Sequence, residues 1–270
     1  MHHKGQKIRT LGEAALGVLK ASDPDEKRRR ARAMARGWRQ GQLTHDFGPM
    51  MPDQPDWPEK PELLSPARMP KRGKGGSERG RIAMLHALTH IEYVAIDLAA
   101  DLIGRFGAVF PTGFCDDWVQ VLADEAMHFA VLNRRLKQLG SHYGALPAHA
   151  GLWESAANTA DDALARLAIL PMVLEARGLD VTPATIQQFQ AAGDDVSARI
   201  LSRIYRDEIR HVSAGTRWFN WMCDERRIPA AATWQDIVKR RFRGALRPPF
   251  NVSARHDAGL TQDYYAMIAS

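Results

Sequence analysis

Two Glu-x-x-His pairs, Glu125–His128 and Glu208–His211, are the feature of this sequence that most constrains its fold. The interval between Glu92 and Glu125 is the same as the interval between Glu175 and Glu208, so the two halves keep one constant offset throughout. In a helix, residues at i and i+3 lie on one face about a turn apart, so each pair presents two ligands side by side. The spacing predicts a helical hairpin that occurs twice.

The hairpin interpretation depends on where each turn falls. In an antiparallel hairpin, residues at the same level are equidistant from the turn, which places the two turn centres near residues 108.5 and 191.5. The first centre lies in Gly107–Pro111, a plausible helix break, and the second in residues 191–194, where a helix stop precedes a cap. All four glutamates can therefore share one level of a bundle.

Helical periodicity extends over most of the chain, and no alternating strand pattern competes with it. The sequence predicts an all-α bundle with an N-terminal helical arm and a C-terminal extension, divided at 1–78, 79–225 and 226–270. In the arm, Asp23-Pro24-Asp25-Glu26 has the cap, first-turn proline and acidic residue that begin a helix. The predicted helices are 10–20, 23–40, 79–105, 113–140, 155–178, 183–191, 194–223 and 232–243.

Each of the four glutamates is surrounded on its own helical face by mainly apolar residues, such as Leu85, Leu88, Ile96 and Ala99 around Glu92. Burying four carboxylates costs many kcal/mol unless cations compensate them. We expect two metal ions, bound by the six residues Glu92, Glu125, His128, Glu175, Glu208 and His211. The alternative is buried glutamates satisfied by arginine or by protonation.

Cysteine usage limits the metal chemistry. Cys115 and Cys223 lie far apart, so neither a disulfide framework nor a thiolate cluster is available. Carboxylate and imidazole ligands suit iron, which we take as the first candidate, and manganese, the second.

Three further residues are predicted to support the ligands. Asp124 and Asp207 each precede a ligand glutamate, where a carboxylate can accept the free ring N–H of a ligating histidine. Both aspartates can instead face solvent, since Arg203 and Arg210 flank Asp207. Tyr205 lies one turn before Glu208 and is either a hydrogen-bonding residue of the site or a packed core tyrosine.

Positive charge is concentrated in the arm and the Pro-rich linker that follows it. Residues 1–80 carry 17 Lys and Arg against 10 Asp and Glu, a net charge of +7, so the other 190 residues contribute −1 to the total of +6. A basic helix of this kind can bind RNA, an anionic surface or an acidic partner, or can be a solvated face of the bundle. Because the arm holds no proposed ligand, we expect it to be separable from the metal site unless it covers the core. With no signal-like or bilayer-spanning apolar stretch, the sequence predicts a cytoplasmic protein.

A helix break is predicted at Gly178–Pro183, within a turn of Glu175. Such a break either opens a path to the metal ions or only adjusts the packing.

The Glu and Glu-x-x-His pattern resembles that of the ferritin-like di-iron and di-manganese carboxylate proteins, and Asp207–His211 is similar to the Asp-Glu-x-Arg-His signature of their oxygen-activating branch. The chain further resembles an uncharacterised bacterial family, the ferritin-like domain of unknown function 455. The segments that carry this resemblance are Leu85–Ala99, Leu174–Pro183, Ala192–Asp194 and Pro249–Val252. The resemblance covers roughly residues 80–260 and all six ligand positions. It implies a ferritin-like four-helix bundle and a dinuclear metal site, with no established reaction.

The leading hypothesis is an oxidase or oxygenase that uses a di-iron centre, or one that contains manganese, to activate dioxygen or peroxide for oxidation of a small or RNA-borne substrate. RNA modification by ferritin-like proteins is an analogy for the basic arm. The alternatives are iron handling or peroxide scavenging without an organic substrate, and a metal-stabilised binding module. The sequence does not choose among substrates, between iron and manganese, or among oligomeric states.

Overall fold

A computed structural model describes residues 9–65, 68–70 and 76–269 of the 270-residue chain. Within these ranges the regular elements are helices, and strand pairing is limited to two isolated bridges, Thr10–Thr44 and Leu63–Ala148. The all-α class predicted from the sequence is therefore confirmed.

The described helices range from 4 residues in α11 to 32 residues in α8. They are α1 (Leu11–Leu19), α2 (Pro24–Arg39), α3 (Glu78–Phe106), α4 (Thr112–Gln138), α5 (Gly151–Ala157), α6 (Ala163–Ile169), α7 (Ala176–Ala191), α8 (Asp195–Arg226), α9 (Ala230–Arg241), α10 (Val252–Asp257) and α11 (Gln262–Tyr265). A π-helical turn, Leu170–Glu175, joins α6 to α7.

Helix ends in the arm follow from local side-chain chemistry. At α1, the Thr10 hydroxyl accepts from the Glu13 N–H while the Glu13 carboxylate accepts from the Thr10 N–H, a reciprocal capping box. At α2, the Asp23 carboxylate accepts from the Glu26 N–H at 2.7 Å, and Pro24 is the first helical residue. The predicted start of this helix is confirmed.

Both predicted hairpin turns are also confirmed as breaks between helices. A single 3-10 turn, Gly107–Val109, separates α3 from α4. The second break comprises residues 192–194, where the Asp194 carboxylate accepts from the Ser197 N–H and caps α8. Each Glu-x-x-His pair therefore lies on the helix that follows its turn.

The predicted helix break at Gly178–Pro183 is wrong, because α7 runs without interruption through both residues. Proline at position 183 removes the N–H that the Leu179 carbonyl would accept in a regular helix. The Asn251 side chain donates to that carbonyl at 3.2 Å. A distant residue thus replaces the missing helical hydrogen bond, which the local sequence does not reveal.

The predicted helix 155–178 is also interrupted elsewhere. It ends at Ala157, restarts at Ala163 behind the Asp162 cap, and widens into the π turn before Glu175. Pro171 lies in this turn, and its ring disfavours a regular α-helical bond to the turn before it. The Ala176 N–H reaches back to the Pro171 carbonyl, as π geometry requires.

Contacts divide the chain into two compact units, and the first comprises the described residues of Met1–Glu59 and Glu92–Ala130. Here α1 and the linker approach α3 closely: a Cβ at Gly104 would lie 2.4 Å from the Met51 sulfur and 3.1 Å from the Ala15 Cβ. Lys27 of α2 forms a buried ion pair with Asp97 of α3. The arm therefore covers part of the core of this unit. We expected the arm to be separable from the metal site only if it did not cover the core, and that condition is not met.

The second unit comprises the described residues of Lys60–Ile91 and Val131–Ser270. Its core contains a cluster of buried apolar side chains, namely Leu85, Leu132, Leu136, Phe189, Ala198, Leu201 and Ile204.

One helix with its following turn, Glu78–Val109, is long and apolar enough to cross a membrane by length and composition alone. However, 67% of its most apolar window is buried inside the protein, as in the core helix of a soluble protein. Its apolar character is therefore weak evidence for a membrane span.

Candidate metal centre

The first unit contains a buried cluster of three ligand-type side chains. Glu92 is on α3, and Glu125 and His128 are one turn apart on α4. The His128 Nδ1 atom lies 3.2 Å from the Glu92 Oε2 atom and 3.5 Å from the Glu125 Oε2 atom. None of the three residues is more than 6% exposed. Helical spacing on α4 and the turn between α3 and α4 thus bring two carboxylates and an imidazole together, away from water.

The second unit contains the matching cluster. Glu175 ends the π turn, whereas Glu208 and His211 lie one turn apart on α8. The His211 Nδ1 atom is 3.6 Å from the Glu208 Oε1 atom. His211 is 1% exposed, and the two glutamates are partly buried. The second cluster is therefore the more accessible of the two.

A close helix contact holds the π turn near this second cluster. A Cβ at Gly215 of α8 would lie only 2.4 Å from the Cβ and Cγ of Pro171, so position 215 requires a residue without a side chain. Gly215 is at i+4 from His211, and Pro171 is at i−4 from Glu175. The contact of glycine with the proline ring therefore lies about one turn from two of the candidate ligands.

The donor atoms in each cluster fit a metal ion. In the first cluster, each of the three residues offers one ligand atom, a carboxylate oxygen or a ring nitrogen, within 4.8 Å of the others. The same holds for the three residues of the second cluster. Ligands that surround one ion at about 2.0–2.2 Å lie roughly this close to each other. Two carboxylates and one imidazole per cluster form a set that suits iron, manganese or zinc, and leave room for other ligands. Each cluster can thus hold a metal ion.

Asp207 is buried and paired. Its carboxylate accepts from Arg203 Nε at 2.8 Å and from Arg210 at 2.7 Å, and its side chain is 1% exposed. Both arginines named from the sequence do contact it, but the solvent-facing alternative is wrong. The two partly exposed guanidinium groups compensate the negative charge of the buried Asp207 carboxylate, which precedes Glu208 in the sequence. Its role in orienting a histidine stays a prediction.

Asp124 and Tyr205 lie beside ligand positions and have partners outside the ligand set. Asp124 is 7% exposed and accepts from Gln120 Nε2 at 2.9 Å. The Tyr205 hydroxyl accepts from Asn251 Nδ2 at 2.9 Å. This contact links Tyr205 to the residue that completes α7, and a role at the metal ions stays a prediction for both residues.

Both cysteines are free and buried. Burial raises the pKa of the Cys115 thiol to about 12 and that of the Cys223 thiol to about 11. Protonated thiols are poor metal ligands and poor nucleophiles, so the candidate ligands remain the carboxylates and histidines.

The sequence pattern identified the three members of each cluster, while two structural features near them were missed. The π turn that carries Glu175 is signalled only by Pro171 within a helical pattern. The other missed feature is a groove lined by arginines of α2, which the charge of the arm indicated without giving its shape.

The fold and the two clusters define an all-helical protein with carboxylate and histidine groups able to hold metal ions. The chain belongs to the family described as protein of unknown function DUF455, whose model matches residues 20–266. It is similar to an uncharacterized protein of Haemophilus influenzae, with 41% identity over 212 residues that cover 76% of this chain and 73% of the relative. No solved structure matches the chain.

Proposed function

We propose that the six residues of the two clusters bind two metal ions as one dinuclear centre in a ferritin-like four-helix bundle of α3, α4, α7 and α8. The observation that carries the proposal is the duplication: each half supplies one glutamate and one Glu-x-x-His pair at the same spacing. Within each half, the donor atoms lie within 4.8 Å of one another. Duplicated ligand sets of this kind serve dinuclear carboxylate sites in helix bundles.

Iron is the first candidate for both positions and manganese the second, because oxygen and imidazole nitrogen donors suit both metals. Buried Glu92 and Glu125 favour a bound cation, since an uncompensated carboxylate is costly in an apolar interior. Helix α3 is mostly buried inside the protein, and the candidate ligands lie in the interior, which favours a soluble protein. We propose that the protein is cytoplasmic.

The reaction that we propose is oxidation of an organic substrate with dioxygen or peroxide. Two redox-active metal ions held by the six residues would relay electrons from the organic substrate to dioxygen or peroxide, and would offer open coordination positions for that oxidant. The protein residues would bind the ions and exclude water from the first cluster, where His128 is fully buried. Greater exposure at Glu175 and Glu208 favours this second cluster as the side where small molecules enter.

The test is metal analysis of natively purified full-length protein and of single ligand variants. We expect two metal ions per chain in the wild type and fewer in Glu125→Ala and Glu208→Ala. Glu154→Ala removes an exposed glutamate of α5 and should retain the wild-type content. Glu125→Gln keeps the size of the side chain and guards against loss of folding. A wild-type protein that takes up no iron or manganese would refute the proposal.

Oxygen uptake then separates oxidation of a substrate from iron handling. Ferrous protein that consumes oxygen and accumulates ferric ions well above two per chain would favour iron handling. Stoichiometric oxidation limited to two ions would favour an enzyme that acts on a separate substrate.

A further inference from the structure

A groove between α2 and α4 in the first unit is lined by arginines. It has a volume of about 860 Å³, within the usual range for pockets that bind small molecules. One side is formed by Arg28, Arg29, Arg32, Arg36 and Arg39 of α2. The other side is the face of α4 that carries Gln120 and Asp124.

The arginines form a row because of helical spacing. Residues 28, 32, 36 and 39 recur at intervals of four and three, so they follow one face of α2 for about 16 Å. The opposite face is held in place, since Lys27, Ala31, Met34 and Ala35 are buried. The row therefore lies on a fixed helix with its guanidinium groups directed away from the core.

Positive charge in the groove exceeds the negative charge that faces it. Arg28 has an exposed partner, Asp25, at 3.3 Å, and Arg39 donates to Gln120. Arg32 and Arg36 form no hydrogen bond or ion pair with any residue in the part of the chain that the structure describes. Like charges in a row repel one another, and a bound anion would relieve that repulsion.

One carboxylate of α4 lies in the lining and must be counted against an anion. Asp124 accepts from Gln120 Nε2 at 2.9 Å and is 7% exposed. Five guanidinium groups outweigh this single, mostly buried charge.

The chemistry of the lining selects the kind of anion. Guanidinium groups bind phosphate through paired N–H donors, and several in a row suit a group with more than one negative charge. Grooves that hold single-stranded RNA add aromatic rings on which bases stack, whereas the described residues that line this groove include no aromatic side chain. We infer that the groove binds a small phosphate-bearing molecule.

Asp124 and Met127 line the groove, and each immediately precedes a candidate ligand, Glu125 and His128, on the same helix. Successive helical residues point about 100° apart, so the groove lies on a neighbouring face of α4 and the anion site stands independently of the metal centre.

The experiment titrates inorganic pyrophosphate into natively purified full-length protein by calorimetry at physiological ionic strength. The groove variant is Arg32→Gln/Arg36→Gln. The matched control, Arg134→Gln/Arg199→Gln, removes the same charge from two exposed arginines in the second unit. We expect the groove variant to bind at least about tenfold more weakly, the loss of one strong charge-assisted contact. The control should stay close to the wild type.

Equal weakening in both variants, or no binding to the wild type, would overturn the inference. A uridylate oligomer that binds more tightly than pyrophosphate and needs Arg32 and Arg36 would assign the groove to RNA and overturn it as well. Metal content of each variant keeps the two proposals distinct. Groove-dependent pyrophosphate binding by a chain that takes up no metal would leave the anion site standing and remove the dinuclear function.

Discussion

The Lys27 ammonium contacts the Asp97 carboxylate with both side chains fully buried, and this pair joins α2 to α3. The second carboxylate oxygen of Asp97 accepts from Trp57 Nε1 at 2.8 Å, and Lys27 lies over the Tyr93 ring. Burial raises the pKa of Asp97 to about 6 and lowers the pKa of Lys27, each opposed by the charge of the other.

The first prediction is that Lys27→Met destabilises the protein by about 3–5 kcal/mol, because it leaves a buried carboxylate without its cation. Urea unfolding measures the change. Arg240→Met breaks an exposed ion pair with Asp236 and should cost less than about 1 kcal/mol. Adding Asp97→Asn to Lys27→Met should recover part of the loss. Similar small effects in both single variants would contradict the buried pair.

A second prediction concerns pH and His86. Burial lowers the pKa of His86 to about 4, and its Nε2 atom accepts from the Gly144 N–H at 2.9 Å, so that atom carries no proton. The unfolded chain binds a proton at His86 below about pH 6.5, where the folded protein does not. Its contribution to stability is therefore complete above about pH 6.5 and is lost as pH falls towards 4.

Unfolding curves measured between pH 7 and pH 5 test the direction of this change in stability. We expect stability of the wild type to fall with decreasing pH and the fall to be shallower in His86→Gln, by up to about 1.4 kcal/mol per pH unit. His256→Gln, at an exposed histidine of α10, serves as the control and should follow the wild type. An unchanged slope in His86→Gln would show that His86 does not titrate in this way.

The third prediction is that removal of metal lowers the melting temperature. A ligand that binds only the folded state at about 100 times its Kd adds about 2.7 kcal/mol of stability. Chelator should therefore destabilise the wild type and have no effect on a Glu125→Ala/Glu208→Ala variant that has lost its ions. Calorimetric melting with and without chelator makes the comparison. Indifference of the wild type to chelator and to added iron would count against buried bound metal.

The fourth prediction compares two helical glycines. Gly215→Ala places a methyl group 2.4 Å from the Pro171 ring and should cost about 1–3 kcal/mol, since helix backbones must shift. Gly178→Ala meets nothing within 4 Å and should be neutral or stabilise by up to about 1 kcal/mol. Thermal unfolding distinguishes them. The close contact would be refuted if both substitutions stabilised the protein.

The sequence predicted those parts of the fold that depend on local chemistry. Asp23 and Pro24 begin α2 as expected, and the turn at Gly107 separates the first pair of ligand-bearing helices. The same spacing identified the members of both clusters, because ligands one turn apart must share a helical face. Whether the clusters share one centre is the part that stays a proposal.

What the sequence did not predict depends on contacts between distant residues. Asn251 replaces the hydrogen bond that Pro183 removes, so a strong local breaker is tolerated inside α7. His86 and His90 are buried and contact the segment around Tyr143. Neither outcome can be derived from periodicity, because each is decided by a partner that lies far away in the sequence.

The π turn before Glu175 affects the direction of this side chain through the number of residues that the turn contains. Leu170–Glu175 forms one wide turn, in which the hydrogen bonds span one residue more than in an α-helix. If the same residues formed a regular α-helix, Glu175 would be rotated relative to α6 by about 100°, because the wide turn takes up one residue more. The direction of the Glu175 carboxylate therefore depends on the wide turn, and a change that restored regular helix without removing a residue would turn this side chain to another face.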